Sequence, residues 1–485
     1  MRASNSDRLA WLLAAFFVVV QAPFLFQPIG RVHKWRQADA AAVSRNLAFE
    51  SADIRYPRID VRGDLTGITG MEFPAYQAAV AILMRTFDSR ADWIGKATAL
   101  SASLLAWAAL VTFMIRRFGI SPWSAGASLA VSPMLFNYGS RFMPETFALM
   151  CACISLERFD AWWDRRRPVQ LACALGAVAL AALVRPFVIF LGLPIAVGAV
   201  VLGLKRSRAV WPLAAGGFLA LLPFVAWYFW WDPRLVRDFG IDYFFMGSPV
   251  RQNLSAMASA SFWSKLGLLI CQEYVSWQLL PLFIVGAWTF WQRSRGREDR
   301  WLWLTLVAGV PALALIVLFL LTGQHFSPHS YYLFSILPPV SVCMAMGFDS
   351  IRVRWPKVFP AVIGLAVVLL PLTLLYQYEP DGELTRYATV LPEVAKKVAP
   401  SDLVVVEDRG GYAWHLHPLR RRGWIEPRSR LEDARHMTEL ASHRCLWVVY
   451  DSPTGYRLAG IRDWIASLVS DRAKNLRSSD AEAPR

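Results

Sequence analysis

The sequence predicts an all-α polytopic membrane protein. About eleven transmembrane helices are joined by a first outer loop carrying surface-lying helices and end in a small α/β domain. Three observations predict it. Apolar residues make up 55% of the chain and charged residues only 18%, against roughly 25% charged in soluble proteins. The apolar excess falls into blocks of about 17–25 residues, the length that crosses about 30 Å of hydrocarbon. Backbone in lipid must satisfy its own hydrogen bonds, so such blocks read as helices. Tryptophans stand at block edges, among them Trp11, Trp211, Trp230, Trp231, Trp291 and Trp301, as in the aromatic belts at membrane interfaces.

The predicted spans are roughly 8–27, 93–115, 122–139, 146–161, 169–185, 187–204, 211–230, 267–290, 301–322, 331–350 and 357–376. Basic clusters fall in alternate short loops: Arg116–Arg117, Arg165 to Arg167, Lys205/Arg206/Arg208, Arg293 to Arg300, and Arg352/Arg354/Lys357. With Arg2 and Arg8 they mark one side, which the positive-inside rule makes cytoplasmic. This distribution also explains the net charge of +15 and argues against nucleic-acid binding. The six cysteines give no disulfide framework, since most lie in or beside apolar blocks. The first block is followed by no small-residue cleavage site and reads as a retained anchor in a cell inner membrane, with a cytoplasmic N-terminus.

Three pieces then lie outside: 28–92, 231–266 and a tail from about Gln377 to Arg485. The apolar stretch 74–87 is too short to span. Counting it as a span would move every later basic loop outside, so it is predicted to lie along the membrane surface with Arg85 reaching the headgroups. The tail carries strand-like runs at 403–406 and 445–450 among helix-like segments 384–398 and 457–470. The chain therefore divides into a transmembrane part, 1–376, and a soluble extracytoplasmic α/β part, 377–485.

Chemistry-bearing residues collect at the outer helix starts. Asp39 falls in the predicted first turn of an Ala-rich helix, where the helix dipole favours an acid. It reads either as a capping acid or as a general base for an acceptor hydroxyl. Glu72 precedes a Pro-initiated helix that includes Tyr76, and Glu145 opens the fourth predicted span; helix capping is the competing reading for both acids. Arg185 stands between two apolar runs with almost no loop. It is either a snorkelling side chain or a bidentate phosphate ligand. His325 and His329 precede Tyr331 in GQHFSPHSYY. With His33 or Glu72 as the third ligand they are the candidates for a divalent metal, against hydrogen bonding to a headgroup or sugar. There is no Gly-rich phosphate loop.

This ordered set resembles the membrane glycosyltransferases of the C superfamily, in particular protein O-mannosyltransferases and lipid A aminoarabinose transferases. The resemblance covers roughly 8–350. It lies in the long acidic first loop, the Glu72-Phe73-Pro74-Ala75-Tyr76 element, Glu145, Leu183-Val184-Arg185-Pro186, and His329-Ser330-Tyr331-Tyr332. Family members often carry Asp-Glu about eight residues before an Ala/Ser-Arg pair. Counting back from Ser44-Arg45 puts Arg36-Gln37 there, and Asp39 three residues late. Either Asp39 acts from a neighbouring turn or another base serves.

The resemblance implies inverting transfer of a sugar from a polyprenyl-phosphate donor to a lipid, glycan or protein acceptor outside the cytoplasm. It implies Asp39 as base, Glu145 beside the acceptor or a water, and Arg185 on the donor phosphate. Glu72, Tyr76, His329 and Tyr331 would bind substrate. The rival classes are a lipid-linked sugar flippase and a non-catalytic envelope-polysaccharide assembly subunit. A flippase would carry polar groups deep in several spans; here the spans are nearly free of charge.

Overall fold

The computed structural model describes residues 5–30, 33–241, 250–297, 299–322, 330–373, 382–408 and 412–470. Helices occupy every one of the predicted span segments. Among the described residues, five helices are long and apolar enough to cross a membrane, or six if one bent pair counts as a single span.

The chain opens with α1 (Asn5–Phe26), followed by α2 (Lys34–Phe49) and the short α3 (Ala75–Thr86). Next come α4 (Trp93–Phe118), α5 (Pro122–Ala130), α6 (Pro133–Tyr138), α7 (Glu145–Arg165) and α8 (Pro168–Val184). A 3-10 segment, Pro186–Gly192, leads into α9 (Leu193–Leu204), and α10 (Val210–Ala226) follows. The 17-residue α8 and the charge-bearing α7, with Glu157, Arg158 and Asp160, fall outside the spanning criteria but pack in the same bundle.

Two predicted spans are broken. The segment 122–139 divides into α5 and α6 because Pro133 has no amide hydrogen to continue the ladder and Ser132 caps the new start at Leu135. The segment around 267–290 bends by 78° between Ala260–Val275 and Trp277–Ser294, where Ser276 takes a positive φ of 66°. Neither Gly nor Pro marks that bend in the sequence.

The bundle closes through small residues. A Cβ on Gly286 would collide with the Cys343 carbonyl, and one on Gly347 with the Leu282 carbonyl. The helices Leu280–Ser294 and Leu337–Arg354 therefore touch backbone to backbone, as small residues allow in membrane bundles. At one end of the bundle the arginine loops meet. Arg117 pairs with Asp160, with Asp164 at 2.7 Å and with Asp299 at 2.7 Å, and Arg293 pairs with Asp349 at 3.2 Å. The basic clusters that the sequence assigned to one side thus lie together.

The long first loop sits at the opposite end. There α3 packs on α2. Arg85, expected to reach headgroups, instead donates to the Ala48 carbonyl at 2.6 Å and the Leu47 carbonyl at 2.5 Å. It satisfies the last carbonyls of α2, which have no intrahelical partner.

The C-terminal part forms a four-stranded sheet: β1 (Leu403–Asp408), β2 (Arg422–Pro427), β3 (Cys445–Ser452) and β4 (Gly455–Gly460), in the order β2-β1-β3-β4. The β1–β2 and β1–β3 pairs are parallel, and β3–β4 is antiparallel. The predicted helix 457–470 starts only at residue 461, after β4, and 384–398 divides into Gly382–Tyr387 and Leu391–Lys397. The sheet docks on the first loop. Val61 bridges to Gly423, and the Trp414 indole donates to the Ile29 carbonyl at 3.2 Å. His417 lies between Arg45, at 3.1 Å, and Asp92, at 3.0 Å.

Candidate active site

Helix α2 is polar in sequence yet buried along nearly its whole length. Its alanines let α3 and the C-terminal sheet approach closely, and its long side chains find partners. Arg36 pairs with Glu72. Gln37 accepts the Phe142 amide at 3.2 Å, Ser44 donates to the Ala40 carbonyl at 2.7 Å, and Asn46 donates to Asp60 at 3.2 Å. Arg45 pairs with Asp60 at 2.6 Å. Asp39 is the exception: both its carboxylate oxygens are buried without a hydrogen-bond partner among the described residues. Burial pushes its carboxyl up to about 7, the nearby Arg36 charge opposing and Asp60 adding to the shift.

The helix begins at Lys34 rather than Ala38, so Asp39 lies in the second turn and its expected placement in the first turn is corrected. The helix dipole therefore acts on it less than expected. Arg36 stands one turn before it, at i and i+3, the spacing that brings two side chains to one face.

The Glu72 loop is pinned from the other side. The Trp227 indole donates to the Met71 carbonyl at 2.9 Å. The Phe73 amide and the Tyr228 hydroxyl both donate to the Leu183 carbonyl, at 3.2 and 2.6 Å. Leu183 is two residues before Arg185, so Glu72 and Arg185 are held to one another through backbone.

Arg185 closes α8 in extended backbone, with φ −146°. It is buried, pairs with Glu145 at 2.5 Å, and lies over the rings of Tyr331 and Tyr332 at 5.1 and 5.7 Å. The Arg185 Nη2 and Glu145 Oε1 atoms are close in distance but poorly aligned as a hydrogen bond. Their attraction is chiefly charge on charge. Arg36, Arg185 and Glu145 all act electrostatically on the Tyr331 hydroxyl. His33 stacks edge-on against Tyr331 at 4.6 Å and hydrogen-bonds the Tyr138 hydroxyl at 3.0 Å.

The structure thus gathers Glu145, Arg185 and Tyr331, with Arg36 and its partner Glu72 beside them, and Asp39 stands one helical turn from Arg36, between it and Asp60. Tyr76 is buried as well, with its hydroxyl donated to the Gly95 carbonyl at 2.8 Å and its ring against Phe142. His325 and His329 lie outside the described residues. Among the described residues no group of three or more His, Cys, Asp or Glu could hold a metal, and Glu72 is already neutralised by Arg36. Arg36, Tyr138 and Tyr228 were not singled out as site residues from sequence, and His33 only as a possible third metal ligand. They are brought in only by tertiary packing.

In charge terms the cluster is two neutral pairs, Arg36–Glu72 and Arg185–Glu145, plus one unpaired acid. That leaves Asp39 as a carboxylate able to take a proton near neutral pH, and two buried guanidinium groups able to receive an anion.

No protein-family model matches the chain, and no curated protein matches it. Solved structures do. ArnT from Cupriavidus metallidurans in the apo state aligns with a TM-score of 0.64 and 16% identity, over 93% of this chain and 94% of that one. The same protein bound to undecaprenyl phosphate aligns with a TM-score of 0.61 and 15% identity, over 92% and 93%. The Archaeoglobus fulgidus oligosaccharyltransferase in the apo form aligns with a TM-score of 0.59 and 10% identity, over 93% of this chain and 70% of that one. The chain shares the fold of these two transferases along nearly its full length.

Proposed function

We propose that this protein is a membrane glycosyltransferase that moves a sugar, with inversion, from a polyprenyl-phosphate donor to an acceptor hydroxyl on the extracytoplasmic face. The reading rests above all on Asp39, a buried carboxylate with no hydrogen-bond partner among the described residues, beside Arg36, which with Arg185 acts on Tyr331. Gln37, Ser44, Arg45 and Asn46 on the same helix are hydrogen-bonded, so packing alone gives no reason for an acid there. The fold likeness to a transferase solved with undecaprenyl phosphate supports the donor class.

In this mechanism the acceptor oxygen attacks the anomeric carbon as Asp39 takes the hydroxyl proton. The bond between that carbon and the phosphate oxygen breaks, and the electron pair leaves on the polyprenyl phosphate. Arg185 meets the charge that develops there. Glu145 holds Arg185 in place until the donor arrives, and Arg36 with Glu72 fixes the turn that carries Asp39. Tyr331 forms a wall of the donor pocket. The C-terminal sheet, docked on the first loop, covers the site or receives the acceptor.

The test is a donor panel. Purified protein is incubated with radiolabelled polyprenyl-phosphate sugars, and released polyprenyl phosphate and transferred sugar are both measured. Turnover of at least one donor, lost in Asp39→Asn, is the expected result. Equal release by wild type and Asp39→Asn would remove Asp39 as the base. Lipid-sugar movement across vesicles without bond cleavage would make the protein a carrier.

A further inference from the structure

The arginine end of the bundle is divided into two sectors. In the first, most cations are matched by carboxylates: Arg116 with Glu157 and Asp160, Arg117 with Asp160, Asp164 and Asp299, and both Arg293 and Arg352 with Asp349, while Arg295, Arg300 and Arg354 each lie over a single tryptophan ring. The second sector is made of the turns after α7 and α9, with Arg165, Arg166, Arg167, Lys205, Arg206 and Arg208, all exposed. Among the described residues, the side chains of Arg165, Arg167, Arg206 and Arg208 make no ion pair or hydrogen bond. Asp164, the acid nearest in sequence, is held by Arg117.

A pocket of about 340 Å³ lies between these two turns, lined by Trp162, Arg166, Pro168, Leu171, Pro212 and Gly216 among others. Arg166 is built into its mouth. It closes α7 in the left-handed region, with φ 54° and its amide on the Trp162 carbonyl at 2.8 Å. Its guanidinium lies 4.6 Å from the rings of both Trp162 and Trp163. Cation–π contacts of this kind hold the group on an apolar wall while its edge stays free to donate. The inner wall, Leu175, is shared with a second, apolar cavity of about 550 Å³ that runs between α8, α9 and α10 to Phe190.

We propose that this pocket binds an anionic phospholipid. Its phosphate would meet Arg166 and the guanidinium groups of the two turns, and its acyl chain would lie along Leu171, Leu175 and Pro212. A charge run that only orients the protein needs neither a cavity nor an arginine fixed between two tryptophans. A site for a small free anion needs no apolar wall continuing along a span. Basic pockets between membrane helices are a recurrent means of holding anionic headgroups. This reading is independent of the proposed catalytic function.

Native mass spectrometry of the full-length protein in neutral detergent tests it. Phosphatidylglycerol and phosphatidylcholine of identical chains are titrated separately, with glycerol 3-phosphate as competitor. Phosphatidylglycerol is expected to bind at least about tenfold tighter, and neutralised arginines in this sector are each expected to weaken it about fivefold. Ala172→Trp, which narrows the pocket without changing charge, should also release it. Arg166→Gln tests the tryptophan-held group. The double variant Arg206→Gln/Arg208→Gln touches only exposed side chains and keeps the test valid if Arg166→Gln folds poorly. Three results would overturn the proposal: equal phosphatidylcholine binding, effective competition by glycerol 3-phosphate, or equal loss in the charge-matched control Arg295→Gln/Arg300→Gln.

Discussion

Arg185 and Glu145 form a buried ion pair, 2.5 Å apart, beneath two tyrosine rings at the junction of two apolar segments. A charge so placed is costly unless matched, and Glu145 supplies the match when no phosphate is bound. The carboxylate then competes with any phosphate for the same guanidinium. Glu145→Gln should therefore bind undecaprenyl phosphate several-fold tighter than wild type, as measured by calorimetry in detergent, while losing turnover. Arg185→Gln should weaken that binding by tenfold or more. Because Arg185→Gln leaves Glu145 uncompensated, at a cost of about 3–5 kcal/mol, Arg185→Gln/Glu145→Gln is the control for folding.

Asp39 predicts a pH dependence with a definite sign. Its carboxyl is raised to about 7 in the folded protein from an ordinary value of 3.8. Transfer, if Asp39 is the base, should rise with pH and level off above about 7. Stability should move the other way. A carboxyl with a raised folded pKa favours the folded state below pH 4, and that contribution is lost as pH climbs to 7. Asp39→Asn should thus be inactive, yet melt higher than wild type at pH 8. Its melting temperature should also fall less between pH 5 and pH 8, read by differential scanning fluorimetry. An unchanged pH slope would place the carboxylate in contact with water.

The contrast between Asp39 and Arg36 shows how far sequence carried the site. Acids at helix starts and an arginine between apolar runs are local signals; the fold sets Glu145 against Arg185, ties the Glu72 loop to the segment before Arg185, and leaves Asp39 one turn from Arg36. The partner of Glu72 is Arg36, on another element, and nothing in either local sequence pairs them. The bend at Ser276 and the strands β2 and β4 were equally hidden. Ser276 carries no Gly or Pro signal, and β2, with only Trp424 and Ile425 apolar between Arg422-Gly423 and Glu426-Pro427, lacks an apolar run. Arg85 differs for a tertiary reason: its guanidinium bonds the Ala48 and Leu47 carbonyls at the end of α2, a partner that a linear reading does not reveal.

Arg85 accordingly has a structural prediction. Its two bonds to the Ala48 and Leu47 carbonyls close α2 and tie α3 to it. Hydrogen bonds to a charged group contribute about 1.5–3 kcal/mol each in partly buried settings. Arg85→Ala should lower the melting temperature and speed amide exchange at residues 46–49. Donor affinity should change little, since Arg85 touches none of the site cluster.

His417 joins the C-terminal sheet to the first loop. Arginine only donates, so the ring nitrogen facing Arg45 accepts, and the other donates to Asp92. Burial alone would raise the Asp92 carboxyl, but His417 and Arg45 hold it well below the usual carboxylate range. His417→Ala would leave both Asp92 and Arg45 short of a partner. Limited proteolysis should then cut between residues 374 and 402 faster than in wild type, with turnover reduced. Intact resistance to protease would mean that the Trp414, Gly423 and His443–Asp64 contacts hold the sheet without His417.

Which side of the membrane carries the cluster is the last prediction, and the structure dictates how to ask it. The native Cys445 is buried, and burial pushes its thiol up to about 12, so it is a poor target for an impermeant reagent. Glu439 is exposed on the helix Ala434–Ser442 of the same sheet unit, and its carboxylate lies 3.9 Å from His436 in a pair that a small residue can replace. In a background with the exposed Cys173 changed to serine, Glu439→Cys should react with a membrane-impermeant maleimide in intact spheroplasts. A cysteine placed at the exposed Arg206, at the opposite end of the bundle, should react only after lysis. The reverse pattern would put Asp39 and Arg185 on the cytoplasmic face and exclude a donor presented from outside.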